Sequence, residues 1–294
     1  MSTRSDRPRW RLLVTSPTNG AWNMACDEVL GEHVLDGSSE PVIRFFQWMP
    51  ATISFGYSQR IANEIDVARV RDAGIGIVRR ITGGRAVLHA DEITYSVICR
   101  DDDPIASGGI TATYTRISEG LTVGIRALGV DAELAHASDP SVPLRDREAT
   151  LPCFGSTTRA EIVVDGKKLV GSAQHRMRGL MIQHGSVLVG PAHRDLVRYL
   201  NASDAARERY SRILTQSTTS IRESAGTVFA YSQMASILAD GMRQQLELDL
   251  TAQPLGAEER AEVEQLARDK YAADWWNLPE PGTQPQRLAS RLDT

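Results

Sequence analysis

Apolar and polar positions follow two rhythms along this chain, and the changes between them outline its elements. Over residues 21–35, Cys26, Val29, Leu30 and Val34 recur at helical spacing and predict an amphipathic helix. Residues 41–56 are β-like, with Val42-Ile-Arg-Phe-Phe-Gln-Trp48 followed by Thr52-Ile-Ser-Phe-Gly56. Asn63 stands where it would cap a helix carrying Ile65, Ala68 and Val70 and ending before Gly74. Residues 75–80 and 93–99 read as strands, and residues 114–128 as a helix closed by Gly129. Asp165-Gly166 is a type I′ turn signal between the apolar runs 161–164 and 168–171. Arg176-Met-Arg-Gly179 looks like a second turn, before a strand over 180–189. Lys168 therefore opens a strand directly after a tight turn, and Lys167 must face the other way.

From about Asn201 onward the spacing is helical, with helices expected over 232–250 (Ile237, Leu238, Met242, Leu246) and 258–271 (Val263, Leu266, Ala267). Gln253-Pro-Leu-Gly256 separates them, and the polar, Pro-rich tail from Pro279 reads as disordered. Strands and helices mix without regular βαβ alternation, so the expected class is α+β: a mixed or antiparallel sheet flanked by helices, with C-terminal helices. The pattern leaves open whether those helices form a small subdomain or lie along the main one.

Composition narrows the function classes. The 294 residues are 41% hydrophobic and 24% charged, enough for one large domain or a domain with a small appendage. A net charge of −4 gives no argument for nucleic acid, and no apolar run has the length of a membrane span. Three widely spaced cysteines, Cys26, Cys99 and Cys153, with no C-x-x-C, speak against a disulfide framework or a cysteine zinc site. A reduced, cytoplasmic setting is expected. Positive charge nevertheless gathers in Arg79, Arg80, Arg85, Arg159, Lys167, Lys168, Arg176 and Arg178, a density that suits an acidic partner or an anionic ligand.

The candidate chemistry is that of a thiol beside a cation. Cys26 lies on a helix face and Cys99 ends an apolar strand, so both read as core residues, whereas Cys153 follows Pro152 in a segment with no clear period. A nearby ammonium, such as Lys168 fifteen residues on, would favour the thiolate that attacks acyl groups. A merely buried thiol and a solvated lysine fit the same residues. Arg79-Arg-Ile-Thr-Gly-Gly-Arg-Ala-Val-Leu-His89 puts Gly83 and Gly84 where backbone can approach a ligand, with Arg80, Arg85 and His89 beside them. The same glycines would also serve a plain strand–strand turn flanked by solvated arginines. Gly171-Ser-Ala-Gln174 and His184-Gly-Ser186 are small-residue strand segments of the kind that line a narrow tunnel or turn a sheet corner; His175 and His184 are candidate bases or structural histidines. No P-loop, G-x-S-x-G elbow, H-E-x-x-H or dinucleotide fingerprint is present.

In order along the chain, Asn23-Met-Ala-Cys-Asp-Glu28, Phe46-Gln-Trp-Met-Pro-Ala-Thr-Ile-Ser-Phe-Gly-Tyr57, the 79–89 segment, Pro152-Cys-Phe154 and Gly166-Lys-Lys-Leu-Val-Gly-Ser-Ala-Gln174 resemble the biotin/lipoyl protein ligase superfamily, specifically cysteine-dependent octanoyltransferases of the LipM type. Thr82-Gly-Gly-Arg-Ala-Val87 replaces the S-G-G-G-A-V of ATP-dependent lipoate ligases, and Ala90 stands where members often carry Asp. The resemblance implies a catalytic domain over 1–225, a helical extension over 226–280 and a tail over 281–294. It implies transfer of octanoyl from acyl carrier protein, through a thioester on Cys153, to a lysine of a lipoyl domain such as the glycine-cleavage H protein. No metal and no cofactor are needed, ATP included, and neither nucleic acid nor membrane is a partner. Lys168 would lower the Cys153 pKa and polarise the carbonyl. Arg80, Gly83, Gly84, Arg85, His89, Gly171, Ser172, Ala173, His184 and Gly185 would bind substrate, with the apolar residues of 169–173 and 180–188 lining the acyl tunnel. An ATP-dependent lipoate–protein ligase, an octanoyl amidotransferase between lipoyl domains, and a non-catalytic acyl- or lipoyl-domain-binding protein are the alternatives.

Overall fold

The computed structural model describes residues 7–135 and 161–279. β1 (Arg9–Val14) leads into α1 (Gly20–Asp36), β2 (Val42–Phe46), β3 (Thr52–Phe55), the short helices α2 (Ile61–Glu64) and α3 (Val67–Asp72), β4 (Gly76–Arg79), β5 (Val87–His89) and β6 (Glu92–Arg100). There follow α4 (Gly109–Ala127), β7 (Glu133–Ala135), β8 (Glu161–Val164), β9 (Lys167–Met177) and β10 (Leu180–Leu188). A 3-10 run over Pro191–Tyr199 precedes α5 (Asp204–Ser217), α6 (Ile221–Ala225), α7 (Tyr231–Gln245), β11 (Asp249–Ala252), α8 (Ala257–Leu266) and α9 (Asp274–Asn277).

Among the described residues the strands make a large sheet, ordered β11-β1-β2-β6-β10-β9-β8-β7, and a small one, ordered β4-β3-β5. β1 runs parallel to β2 and β11, while β2, β6, β10 and β9 pair antiparallel. This is the expected α+β class, a mixed sheet with helices packed against it. Two hairpins set the registers that matter for function. Asp165 and Gly166 both have positive φ (49° and 70°), as do Arg178 and Gly179 (48° and 87°), so both anticipated turns close with left-handed pairs.

α1 forms because Asn19 accepts a hydrogen bond from the Trp22 N–H and Gly37 (φ 80°) ends it. It packs on β6, β10 and β4, and also on α8 and the π-helical turn Ala267–Tyr271. A helix covered on so many sides must satisfy its polar residues internally. Asn23 donates to the carbonyls of Thr18 and Gln47, and buried Arg44 donates to Asn23 Oδ1 and to Asp27 at 2.7 Å each. Glu28 accepts from Lys270 and from the Tyr271 hydroxyl. The Asn-Met-Ala-Cys-Asp-Glu segment is thus largely a folding device.

Some expectations give way. Asn63 does not cap a helix through Val70; Ile65 is extended, and the second short helix is capped by Asp66, whose side chain accepts the Arg69 N–H. The expected helix over 232–250 stops at Gln245, because Glu247 takes a left-handed φ of 53° and residues 249–252 pair with β1. Leu246 and Leu250 suit a helix, and Leu248 and Leu250 suit a strand equally well; an available sheet edge decides. The residues after 225 therefore lie along the main body: α7 packs on α4, and β11 extends the large sheet. The tail from residue 280 is outside the described residues.

Candidate active site

A cavity of about 200 Å³ opens where the small sheet faces the α1 side of the large one. α1 contributes Met24, the β2–β3 link Trp48, the segment after β4 Arg80, Gly84 and Arg85, and β5 Val87 and His89. From the large sheet come Thr94 of β6, Lys168, Gly171, Ser172 and Ala173 of β9, and His184, Gly185 and Ser186 of β10. Lys168 and every expected substrate-binding residue but Gly83 are brought together in this lining. Gly83 stands beside it, exposed, with its carbonyl accepting from Arg80. Cys153 lies outside the described residues.

Lys168 is 7% exposed and Lys167 is exposed, as strand alternation after the Asp165-Gly166 turn requires. The Lys168 backbone is pinned by the Thr219 N–H, 3.0 Å from its carbonyl, and its Nζ meets Glu161 Oε1 at 2.7 Å. Glu161 offsets the charge of the ammonium and fixes its position at the cavity wall.

Arg80 underlies the Gly-Gly loop. Its guanidinium donates to Ser54 Oγ at 2.5 Å and to the carbonyls of Gly83 and Arg85 at 3.1 Å each. Gly84 has φ 104°, outside the range of other residues. Gly185 is needed for closeness: a Cβ there would lie 2.5 Å from Ser172 Oγ and 2.6 Å from the Gly171 carbonyl. Across it Tyr95 and Ser172 share a 2.7 Å hydrogen bond.

The histidines are held. His89 bonds Ser54 at 2.5 Å and Glu92 at 2.7 Å, and stacks on the Trp48 indole with centroids 4.1 Å apart. Trp48 in turn donates to Thr94 Oγ1 at 2.7 Å. His184 bonds Thr82 Oγ1 at 2.7 Å and has Asp27 Oδ2 at 3.7 Å. Burial lowers its pKa against the pull of Asp27, favouring the neutral ring. Burial raises Asp27, but Arg44 and His184 outweigh it and hold the carboxyl below the usual range. Half-buried His175, also lowered by burial, does not line the cavity.

Cys26 and Cys99 are wholly buried in the core; burial pushes the Cys26 thiol up to about 12 and raises Cys99 as well, so neither is a thiolate at neutral pH. The described members of the basic cluster are only partly exposed. Arg79, Arg80 and Lys168 are buried, and Arg176 donates to the Ala106 carbonyl and Thr113. Of the described members only Arg85, Lys167 and Arg178 are exposed, the last two at opposite ends of β9. The tunnel wall also differs: the bulky residues of 169–173 and 180–188, such as Leu169, Val170 and Val187, pack into the core, and this strand pair lends the cavity mainly its small residues. Apolar bulk comes from Met24, Trp48 and Val87, which had carried no assigned role; helix and strand periodicity cannot show which buried residue borders a void. Among the described residues no group of His, Cys, Asp or Glu is arranged to hold a metal ion.

The lipoyl protein ligase A/B catalytic domain, as a family model, matches residues 19–243. Octanoyltransferase LipM of Kyrpidia tusciae is 41% identical over 269 residues, covering 91% of this chain and 98% of its own. LipM of Brevibacillus brevis is 38% identical over 272 residues (92% and 99%), and that of Staphylococcus aureus 36% over 272 (91% and 97%). Among solved structures, a bipartite lipoate protein ligase of Thermoplasma acidophilum superposes with a TM-score of 0.74 at 21% identity, over 94% of this chain and 98% of that one. A lipoate-protein ligase A bound with ATP gives 0.71 at 23%, over 92% and 99%. At such identities these two establish a shared fold.

Proposed function

Belonging to the lipoyl protein ligase A/B catalytic-domain family, the chain is an octanoyltransferase of lipoate biosynthesis, and we propose that it carries the octanoyl group on Cys153 between a carrier-protein donor and a lipoyl-domain acceptor. The Cys153 thiol ionises and its thiolate attacks the thioester carbonyl of octanoyl-acyl carrier protein; the new C–S bond forms as the bond to the carrier sulfur breaks, and the departing carrier thiolate takes up the proton that Cys153 released. The neutral amine of a lipoyl-domain lysine, on the glycine-cleavage H protein or a similar domain, then attacks the enzyme thioester, forming the amide and returning the cysteine thiol. Thioester to thioester is nearly balanced and thioester to amide runs downhill, so no nucleotide is required. A reducing cytoplasm would keep the thiol available.

One observation carries the assignment of roles: a single cavity is lined by Lys168, the Arg80–Arg85 loop and the Gly171–Ala173 strand, with Met24, Trp48 and Val87 as its apolar part. About 200 Å³ is room for roughly seven water-sized volumes, the scale of an eight-carbon chain. Each CH₂ buried there would contribute about 0.8 kcal/mol. Lys168 favours the thiolate and polarises the acyl carbonyl, while the N–H groups around Gly84 and Gly171-Ser172 complete a site for the developing oxyanion. His89 and His184 border the acyl group as shape- and polarity-setting walls.

The test is transfer without nucleotide. The chain with octanoyl-acyl carrier protein and a lipoyl domain should add one octanoyl group to the domain. Free octanoate with ATP should not. The opposite pair of results would make it a ligase, and binding with no product in either case would make it an acyl-binding protein.

A further inference from the structure

Arg79 is 2% exposed, yet every hydrogen bond its guanidinium makes goes to a neutral backbone carbonyl, and those carbonyls belong to two distant segments. Nε donates to the Trp276 carbonyl at 2.7 Å and Nη2 to that of Asn277 at 3.0 Å. Nη1 is spread over the carbonyls of Gly56, Tyr57 and Gln59, at 3.3, 2.7 and 2.9 Å. The main chain at this position is held by the same C-terminal pair: the Arg79 N–H donates to Asn277 Oδ1 at 2.8 Å, and Trp276 Nε1 donates to the Arg79 carbonyl at 3.1 Å. Burial lowers the guanidinium to about 10, so it remains charged at neutral pH and needs those acceptors.

The 56–59 loop gripped by Arg79 is the surface on which the Gly-Gly loop rests. A Cβ on Gly56 would fall 2.1 Å from the Gly84 carbonyl, and the Tyr57 N–H donates to the Thr82 carbonyl at 2.9 Å. Arg80, the next residue, holds the other side of that loop through Gly83 and Arg85. At the far end the C-terminal segment is anchored independently on α1, where Glu28 accepts from Lys270 and Tyr271; Asn277 Nδ2 donates to the Tyr271 carbonyl at 2.7 Å, and the Trp276 ring packs directly on Tyr57 of the loop.

We propose that Arg79, Trp276 and Asn277 are positioning residues for the acyl site, through which the docked C-terminal segment sets the shape of the Gly83–Gly84 loop. The chain of contact runs from α1 through residues 270–277 to Arg79, on to the carbonyls of 56–59, and so to Gly84. Undocking the segment would strand a buried cation, and the loop it steadies would lose its seat. The proposal rests on the reading that residues 80–85 cradle the acyl group.

Binding of an octanoyl-pantetheine amide, an unreactive stand-in for the donor thioester, tests this by calorimetry on the full chain. Asn277→Ala should raise its Kd about tenfold. Val263→Ala, which loosens the same C-terminal helices without touching Arg79, should stay within about twofold. Arg79→Lys should match Asn277→Ala, and the double variant should add little to either. Equal Kd values for the unaltered chain and Asn277→Ala overturn the proposal, as does an Asn277→Ala effect reproduced by Val263→Ala. A chain that binds the amide but never acquires octanoyl on Cys153 would reject the thioester reading while leaving the Kd comparison standing.

Discussion

Lys168 and Glu161 form a buried pair, and such a pair behaves asymmetrically: removing one member costs about 3–5 kcal/mol, whereas neutralising both restores much of the loss. Lys168→Met should therefore be about 3 kcal/mol less stable to urea and transfer octanoyl at least about 100-fold more slowly. Lys168→Met with Glu161→Gln should recover most of the stability and none of the rate; recovered rate would remove the ammonium from catalysis. His193 gives an acid-sensitive point elsewhere. Burial, with Arg194 adding to it, lowers its pKa from 6.5 to about 4 despite Gly190, Glu92 and Glu223, so the unfolded chain binds its proton first. The stability it contributes is present above pH 6.5 and is lost as pH falls from 6.5 towards 4, on the order of 3 kcal/mol in all. Thermal melts of His193→Gln across that window should show a correspondingly shallower decline. At this scale the opposed facing of Lys167 and Lys168 after the Asp-Gly turn was legible, though not which of the two turns inward; burial shows that it is Lys168. Its partner was not legible: the β8–β9 register shifts at Ile162/Val163, and nothing in the residue pattern announces that irregularity.

Between elements, β9 and β10 meet at the cavity with hardly any side-chain volume, and Gly185 is the tightest point. Gly185→Ala should lower stability by about 1–3 kcal/mol, because Ser172 and the Gly171 carbonyl must move. It should also slow transfer, while Gly83→Ala, with nothing within 4 Å of its Cβ, should change neither stability nor fold in circular dichroism and melting. Both hairpins flanking this region were readable from Asp165-Gly166 and Arg178-Gly179, whose left-handed pairs permit few alternatives. β1 was not anticipated. Its alternation is broken by Arg11, which is buried only because Glu259, 248 residues away, accepts from it at 2.5 Å and the Gln253 and Pro254 carbonyls complete its bonds. A strand stabilised by so remote an ion pair leaves no local trace.

In the whole molecule, the four described motif segments, 23–28, 46–57, 79–89 and 166–174, lie far apart along the chain and are brought to one cavity by α1 and by the sheet order β4-β3-β5 against β6-β10-β9, while residues 152–154 lie outside the described residues. That convergence was implied by resemblance and not by periodicity, which explains why Trp48, Met24 and Val87 went unassigned while the polar lining was named. Partner docking belongs here too. With Arg79, Arg80 and Lys168 buried, the carrier-protein donor proposed above would meet, among the described members of the basic cluster, exposed Arg85 at the cavity and exposed Lys167 at the start of β9. Lys167→Glu should raise the KM for octanoyl-acyl carrier protein severalfold at low salt and little at high salt, with kcat unchanged. The central claim is a covalent octanoyl group on Cys153, and intact-mass analysis after mixing with octanoyl-acyl carrier protein tests it most directly. One octanoyl adduct on the unaltered chain and none on Cys153→Ala is the predicted result; an adduct that survives Cys153→Ala, or transfer to the lipoyl domain at full rate without that thiol, would contradict it.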